Sequence, residues 1–366
     1  MKISQMSKPK KILFLADCLV TQKAGIHFYV KQFIKRCITQ YPHNQYFILL
    51  PYSSEEIDVK EIIVPINNII PFHFRWRSFL GIPAAVKKLS PDVVIEMAHF
   101  GPFRIPNSIK RITVIHDITP ILFPEWHDRM SHIMHKLFLP KILKQEDHII
   151  TNSYHTKADI VEYMDDTKDK ITVSYPSILP SNEEEKIKTN YPEKNEKYLL
   201  TVGTIEPRKN YVTLLRAFDK LCTRNKDIQL RIVGYKGWKA KPFFKLLDQS
   251  SFQDRIVVEG YTSEDRLLSL YKNATAFVFP SLYEGFGLPL LEAMSHGLPI
   301  ICSDIPTSKE ICADAALYFD KNSVDGLVTQ LIKLLENSAL YNEMQVATEV
   351  QFQSFNNLHL NLDHIL

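Results

Sequence analysis

The chain is poor in the residues that would place it outright in several classes of protein. Five cysteines, an odd number with no close pair, supply neither a disulfide framework nor a zinc-type spacing. A reduced, cytoplasmic protein is the expectation. No apolar run approaches the roughly 20 residues that cross a bilayer. The opening MKISQMSKPK is basic and polar, without the apolar middle of a secretory signal. Only 11 glycines stand against 21 prolines, so each glycine is expected to have a specific backbone role at a tight turn or beside a ligand. The formal net charge of +3 is too small to imply nucleic acid.

What is present is ordinary for a globular protein. The 366 residues are 45% hydrophobic and 23% charged, which excludes disorder, collagen and coiled coil as whole-chain descriptions. One hydrophobic core rarely grows to this length, so two domains of roughly 150–200 residues are expected. The charge is uneven. Residues 1–180 carry 23 Lys/Arg against 17 Asp/Glu, and the remainder 21 against 24. A basic first half fits an anionic membrane or acceptor, and equally a drift in surface composition.

Near-continuous Val, Ile and Leu marks strands covered on both faces. In the first half these are KILFLADC (11–18), YFILL (46–50), DVVIEMAH (92–99), RITVIHD (111–117), HIITNS (148–153) and ITVSYP (171–176). A second series follows: YLLTVG (198–203), LRIVG (230–234), RIVVEG (255–260), TAFVFPS (275–281), PIICS (299–303) and ALYFD (316–320). Helical spacing between them, as in 27–38, 155–164, 211–222, 264–273 and 289–297, completes two doubly wound α/β domains. The spacing predicts domains over 1–180 and 198–335, a polar, proline-interrupted linker at 181–197, and a helical tail over 336–366 that either caps the second domain or crosses back to the first. Two such domains facing each other would form a deep cleft for a soluble ligand.

The segment FPSLYEGFGLPLLEAMSHGLPIICSD (279–304) is the most informative. A strand ends near Ser281, a loop holds Glu284-Gly285-Phe286-Gly287, and Leu288-Pro289 opens a helix, since proline's missing N–H has no partner in a first turn. Gly297 closes that helix. Its N-terminus directs free N–H groups into the loop, a position that favours phosphate. Glu284 and Glu292 would reach different parts of one extended ligand. Carboxylates beside a phosphate need donors, and sugar hydroxyls supply them. The rival reading makes both glutamates surface residues around a tight turn.

In VGTIEPRKNYVTLLRAF (202–218), Gly203 ends a strand and Arg208-Lys209 precedes an apolar-periodic helix. Cations at a helix start are unfavourable by themselves. They suit a diphosphate, with lysine as a point charge and arginine as a two-pronged grip; the alternative is two solvated charges. On the ligand reading, Lys209→Ala impairs chemistry and changes folding little. Gly234, Tyr235, Gly237 and Trp238 suit a base or ribose pocket, and equally an ordinary turn.

In the first half, Gly25 precedes a helix expected to begin near Ile26 or His27, either as a cap or as bare backbone approaching a phosphate. His116-Asp117 closes a strand at the carboxyl end, where such folds bind ligands. His116 suits a sugar hydroxyl and Asp117 an acceptor hydroxyl; alternatively Asp117 caps the next turn and His116 is satisfied internally. His99 ends another strand and is unassigned. His127, His132 and His135 lack a carboxylate or cysteine at ligand spacing, so no metal is expected. PFHFRWRSFLGIPAAVKKL (71–89) mixes Phe72, Phe74 and Trp76 with Arg75, Arg77, Lys87 and Lys88. That mixture suits anionic lipid or a protein contact, and equally a core-facing helix with a solvated rim.

YEGFGLPLLEAMSHGLPIICSD resembles the C-terminal signature of the retaining, GT-B-fold nucleotide-sugar glycosyltransferases of family 4, and VGTIEPRKNYVTLLRAF resembles that family's other donor-domain signature. ITVIHDITP and the Gly25 segment are similar to its N-terminal elements. The resemblance covers about residues 11–335. It implies a metal-independent enzyme without a cofactor, whose second domain holds a nucleotide-diphosphate sugar. Glu292 would then hold the ribose. Glu284 would contact the transferred sugar, with the backbone of Gly285, Phe286, Gly287 and Leu288 helping the sugar and diphosphate. Lys209 would bind the diphosphate, His116 would bond to the sugar near the reacting carbon, with Asp117 beside it, and Gly25 would lie near the phosphates.

Two departures stand out: Thr204 where many members have arginine, a charge that Arg208 would supply, and a tail without a clear tryptophan near its end. VGTIEPRKN looks closest to bacterial mannosyltransferases of surface polysaccharides. This implies GDP-mannose as donor and a glycan or lipid-linked acceptor, as in lipopolysaccharide biosynthesis. It also implies peripheral contact with the inner face of the cytoplasmic membrane. A non-enzymatic sugar-binding protein, or a GT-B synthase with a soluble sugar acceptor, is the alternative.

Overall fold

A computed structural model describes residues 8–21, 25–54, 56–66, 77–98, 100–101, 103–178, 197–225, 227–356, 358, 360, 362, 363 and 365. Phe72, His73, Phe74, Arg75, Trp76, His99 and residues 181–196 lie outside them. The chain divides into two compact units, between Ser177 and Ile178 and again between Asn357 and Leu358, so that Leu358–Leu366 rejoins the first unit.

The first unit is built on strands β1 (Lys11–Leu15), β2 (Gln45–Leu50), β3 (Lys60–Ile63), β4 (Val93–Glu96), β5 (Lys110–Ile115), β6 (His148–Thr151) and β7 (Ile171–Val173). They form one parallel sheet in the order β3-β2-β1-β4-β5-β6-β7. The unbroken apolar runs are explained by cover on both faces. Ile12 and Phe14 pack with Tyr29, Val30 and Phe33 of the helix Gly25–Gln40. Leu13 and Leu15, on the opposite face, pack with Ile82 and Val86 of the helix Ile82–Leu89.

The second unit repeats the architecture with β8 (Lys197–Val202), β9 (Ile228–Val233), β10 (Ile256–Gly260), β11 (Ala276–Phe279), β12 (Ile300–Ser303) and β13 (Ala316–Phe319), in the parallel order β10-β9-β8-β11-β12-β13. Leu199, Leu230, Val278 and Ile301 pack against the helices Tyr211–Cys222 and Val324–Glu336. In both sheets the strand order reverses beside the first strand, between β1 and β4 and between β8 and β11. At such a reversal the loops leaving adjacent carboxyl ends diverge and expose backbone to a ligand. These are two Rossmann-like units, the architecture of GT-B glycosyltransferases.

β3 and the helix Arg129–Gln145 are among the elements that the apolar runs and helical spacing leave out. β3 begins Lys60-Glu61 and lies at the sheet edge, where a short, charged strand is tolerated because one side has no partner. The helix Arg129–Gln145 contains Pro140 and is apolar on more than one side, which blurs its period.

After the helix Ser338–Asn356, which lends Met344 to the second core, the chain returns to the first unit. Leu360, Leu362 and Ile365 are nearly fully buried in the core around Ile12 and Phe14. Tyr41 Oη accepts from Leu362 N at 3.0 Å and donates to Leu360 O at 3.1 Å, and Arg36 donates to Leu358 O at 2.7 Å. Among the described residues no helix is long and apolar enough to cross a membrane. Burying each such side chain contributes about 1.5–3 kcal/mol. Deletion of residues 358–366 is therefore expected to accelerate amide hydrogen exchange in β1, β2 and β4 while leaving β8–β13 unchanged. Unaltered exchange in the first sheet would remove the tail from its core.

Candidate functional site

The second unit's site grows from the carboxyl ends of β8 and β11, which are neighbours in the sheet. After β8, Gly203 leads to a single 3-10 turn, Pro207–Lys209, and Asn210, at φ 55°, starts the helix Tyr211–Cys222. After β11, the loop runs through Glu284 to Gly287, whose φ of 110° is in the region that favours glycine, and the helix Leu288–Ser295 follows. The two loops are stitched together. Leu282 N donates to Arg208 O at 2.8 Å, and Asn210 Nδ2 donates to Pro280 O at 3.1 Å.

Four charged side chains meet there. Lys209 Nζ donates to Glu284 Oε1 at 2.6 Å, while Arg208 pairs with the other oxygen of the same carboxylate. Arg208 also bonds to Glu206 Oε1, at 3.0 Å from Nε and 2.8 Å from its terminal nitrogen. Glu206, Lys209 and Glu284 are 4%, 7% and 5% exposed, so their charges interact through protein more than through water. Burial alone would push the Glu284 carboxyl up, but Arg208 and Lys209 outweigh it and hold the group below its ordinary value. Burial lowers Lys209 and raises Glu206. Thr307 Oγ1 fixes the glutamate's backbone by donating to Glu284 O at 2.6 Å. The ammonium also lies 5.2 Å from the centre of the Phe279 ring.

Around this cluster the bare backbone is indispensable at one crossing: a Cβ on Gly234 would come 2.0 Å from Gly203 O. Gly285, Phe286 and Gly287 are buried, and Leu288 is half-buried as the first residue of its helix. Glu292 is half-buried on that helix and accepts from Tyr271 Oη at 2.6 Å, with burial raising its carboxyl. Beyond β9 and β10, Tyr235 and Tyr261 are exposed and stack with ring centres 5.0 Å apart, and Trp238 is exposed beside the same turn.

In the first unit, Gly25 is the exposed first residue of the helix Gly25–Gln40, one position earlier than the spacing suggests. That helix reaches His116 through Tyr29, whose ring meets the imidazole edge-on at 5.0 Å. His116 is 6% exposed, its Nε2 lies 2.8 Å from Met97 O, and burial lowers its pKa. Asp117 Oδ1 accepts from Thr119 N at 3.0 Å and Thr119 Oγ1 at 2.6 Å, capping the turn that follows β5. His132 and His135 each bond to a backbone carbonyl, of Pro120 and Ser131 respectively. Among the described residues no group of three His, Cys, Asp or Glu side chains is arranged to hold a metal.

Three charged residues at this edge escape a reading based on glycines and histidines. Asp17 follows β1 and takes a two-pronged contact from Arg77, whose side chain is buried and also donates to Val64 O at 2.6 Å. Glu96 ends β4, next to β1 at the strand-order reversal. Burial, with the charge of Asp17 added, pushes its carboxyl up to about 8. The rule that singles out Asp117, a polar residue at the carboxyl end of a buried parallel strand, applies equally to Asp17 and Glu96. Arg77 gives no local signal, because its partner lies 60 residues away. The expectation that Lys209→Ala changes folding little needs correction: Lys209 is a buried side chain, and its loss leaves Glu284 with Arg208 as its one remaining cation.

Residues 182–350 match the family described as glycosyl transferases group 1. The chain is 32% identical over 252 residues to the O-antigen chain mannosyltransferase B of Escherichia coli, covering 66% of each chain. It is 28% identical over 248 residues to the O-antigen chain mannosyltransferase RfbU of Salmonella typhimurium, covering 65% of each. It thus spans just under two thirds of these relatives' length. Among solved structures, WaaG, a glycosyltransferase involved in lipopolysaccharide biosynthesis, superposes with a TM-score of 0.72 at 15% identity, over 95% of this chain and 96% of that one. The chain is related to the group 1 glycosyl transferases and has their GT-B fold.

Two outcomes follow from the electrostatics. Glu284→Gln is expected to destabilise the second unit by about 3 kcal/mol, because the buried Lys209 ammonium loses its partner, and Lys209→Met by less, because Glu284 keeps Arg208. The double variant is expected to lose clearly less than the sum, measured by urea unfolding. Glu96 titrates at an ordinary 4.5 when unfolded and at about 8 when folded. Its contribution to stability is complete below the first value and is lost as pH rises through the second. First-unit stability should therefore decline between those values, and Glu96→Gln should flatten the decline in a pH series of unfolding curves.

Proposed function

We propose that this protein is a retaining hexosyltransferase that moves mannose from GDP-mannose onto a glycan or lipid-linked saccharide acceptor. The observation that carries the reading is the convergence of Arg208 and Lys209 on Glu284 at the carboxyl ends of β8 and β11. Cations and a carboxylate in one buried spot suit a ligand that alternates phosphate and hydroxyl groups. The donor sugar is inferred from the two curated relatives, each named as a mannosyltransferase.

In this reading Lys209 and Arg208 turn from Glu284 toward the diphosphate, aided by the N–H groups at the start of Leu288–Ser295. Glu284, still close to both, accepts hydroxyls of the transferred sugar. Glu292, held by Tyr271, accepts those of the ribose, and the exposed Tyr235–Tyr261 stack offers a flat surface to the base. The backbone of Gly285, Phe286, Gly287 and Leu288 borders the sugar and diphosphate. On the first unit, neutral His116 bonds to a sugar hydroxyl, Asp117 orients the acceptor hydroxyl, and Gly25 leaves room for the phosphates.

The bond between the anomeric carbon and the diphosphate oxygen breaks, and its electron pair leaves with the diphosphate. The acceptor oxygen bonds to the same carbon on the same face, and its proton passes to the departing phosphate. Negative charge grows on the leaving group, so the two cations bind the transition state more tightly than the ground state.

The test is titration with GDP- and UDP-sugars, followed by transfer assays with the donor that binds. GDP-mannose is expected to bind most tightly and to yield an α-linked product by NMR, with no covalent adduct on Asp117 or Glu284. An inverted linkage, or such an adduct, would defeat the same-face route. Glu292→Ala should weaken nucleotide binding, whereas Glu284→Ala should depress transfer more than binding.

A further inference from the structure

The helix Gly25–Gln40 does more than fill the core of the first unit. At about 3.6 residues per turn, Tyr29, Phe33, Arg36 and Gln40 fall within about 60° of one another and form one stripe. Phe33 is buried, whereas the other three end in polar atoms that bond to backbone far away in sequence. Tyr29 Oη donates to Ser174 O at 3.3 Å. Arg36 spreads its fork over two segments, donating from Nη1 to Tyr175 O at 3.0 Å and from Nη2 to Leu358 O at 2.7 Å. Gln40 Oε1 accepts from Leu360 N at 3.0 Å.

These partners lie where the chain leaves the first unit and where it returns. That unit ends at Ser177 and resumes at Leu358, so one guanidinium holds both the outgoing and the returning segment. Arg36 is half-buried, burial lowers its pKa, and among the described residues it has no carboxylate partner. A cation without a counter-charge is a costly way to fasten a tail. The tail is already fastened by Leu360, Leu362 and Ile365 in the core and by Tyr41, and the bond to Tyr175 O adds nothing to that.

The same helix reaches the ligand edge of the first unit. Gly25 is its first residue, about 16 Å along the axis from Arg36. Tyr29 lies between them and makes both contacts: its hydroxyl is on Ser174 O, and its ring meets His116 edge-on at 5.0 Å. With His116 Nε2 also 2.8 Å from Met97 O, the imidazole has little freedom once Tyr29 is fixed.

We propose that Arg36 and Tyr29 are positioning residues that tie Gly25 and His116 to the two crossing segments. With both carbonyls gripped, the helix sits in one place and the Tyr29 ring sets the imidazole. With the fork released, helix and crossing segments shift independently, and His116 loses its fixed neighbour. A close-packed helix moves as a unit, so a bond at one turn decides the position of another. The inference rests on the role given above to His116 in sugar transfer.

The experiment compares Arg36→Gln and Tyr29→Phe with the wild type, in the full chain, by transfer kinetics and by the ring resonances of isotope-labelled histidine. The His116 signal is assigned by its loss in His116→Gln. Arg36→Gln is expected to shift or split that signal and to lower kcat about tenfold, with donor KM changed less than about twofold. Tyr29→Phe keeps the ring, frees Ser174 O and should act in the same direction. The double variant should be no slower than the slower single, because both sever one link. Arg36→Lys, which reaches a single carbonyl, should fall between. A mere staple would lower the unfolding temperature and leave kcat and the His116 signal at their wild-type values; that result, or additive losses in the double variant, would overturn the proposal. Wild-type transfer by His116→Gln would instead count against the role of His116, and the His116 signal in Arg36→Gln would then decide the coupling by itself.

Discussion

The loops after β8 and β11 are organised around a charge that water scarcely reaches. Glu284 has two cations against its two oxygens, and a second carboxylate, Glu206, sits behind one of them. Removing such groups from water is costly, and their mutual attraction offsets the cost only when the geometry is tight and every charge has a partner. The cluster therefore acts as a register mark. It ties the turn after β8 to the loop after β11 across about 75 residues of sequence, and either loop in another conformation would strand a buried charge.

The sheets supply the place for such a cluster. Parallel strands covered on both faces have no room for polar side chains along their length, so these gather where the strands end. Both units obey that rule. Glu206, Arg208, Lys209 and Glu284 follow the carboxyl ends in the second, while Asp17, Glu96, His116 and Asp117 stand at them in the first. The chemistry differs between the two edges. The second pairs each anion with a cation, whereas in the first Glu96 is pushed up by burial and Arg77 is committed to Asp17. The first edge thus retains a protonated, hydrogen-bonding carboxyl near neutral pH, suited to uncharged polar groups rather than phosphate.

The outer surface of the first unit follows a different logic. Its tail segment brings Leu360, Leu362 and Ile365 into the core around Ile12 and Phe14, so the stability of that unit depends on residues that follow the whole second unit in sequence. The helix Arg129–Gln145 seals another part of the same unit and still presents aliphatic side chains outward. Apolar side chains lie on opposite sides of one helix, which is why neither side reads as a clean amphipathic period.

Much of this was legible from residues alone. Apolar runs located twelve of the thirteen strands among the described residues and their division into two series, since cover on both faces forces near-continuous Val, Ile and Leu; β3, short and charged at an edge, carries no such mark. Glycines and prolines marked the turns after β8 and β11, because positive φ and a first helical turn restrict residue choice locally. Local signals do not extend to partners distant in sequence. That Lys209 is buried against Glu284, that Arg77 belongs to Asp17, and that the last residues pack beside β1 depend on which strands lie side by side. Those neighbours are set by long-range packing of the whole chain, whose energy is shared among contacts that no short stretch contains.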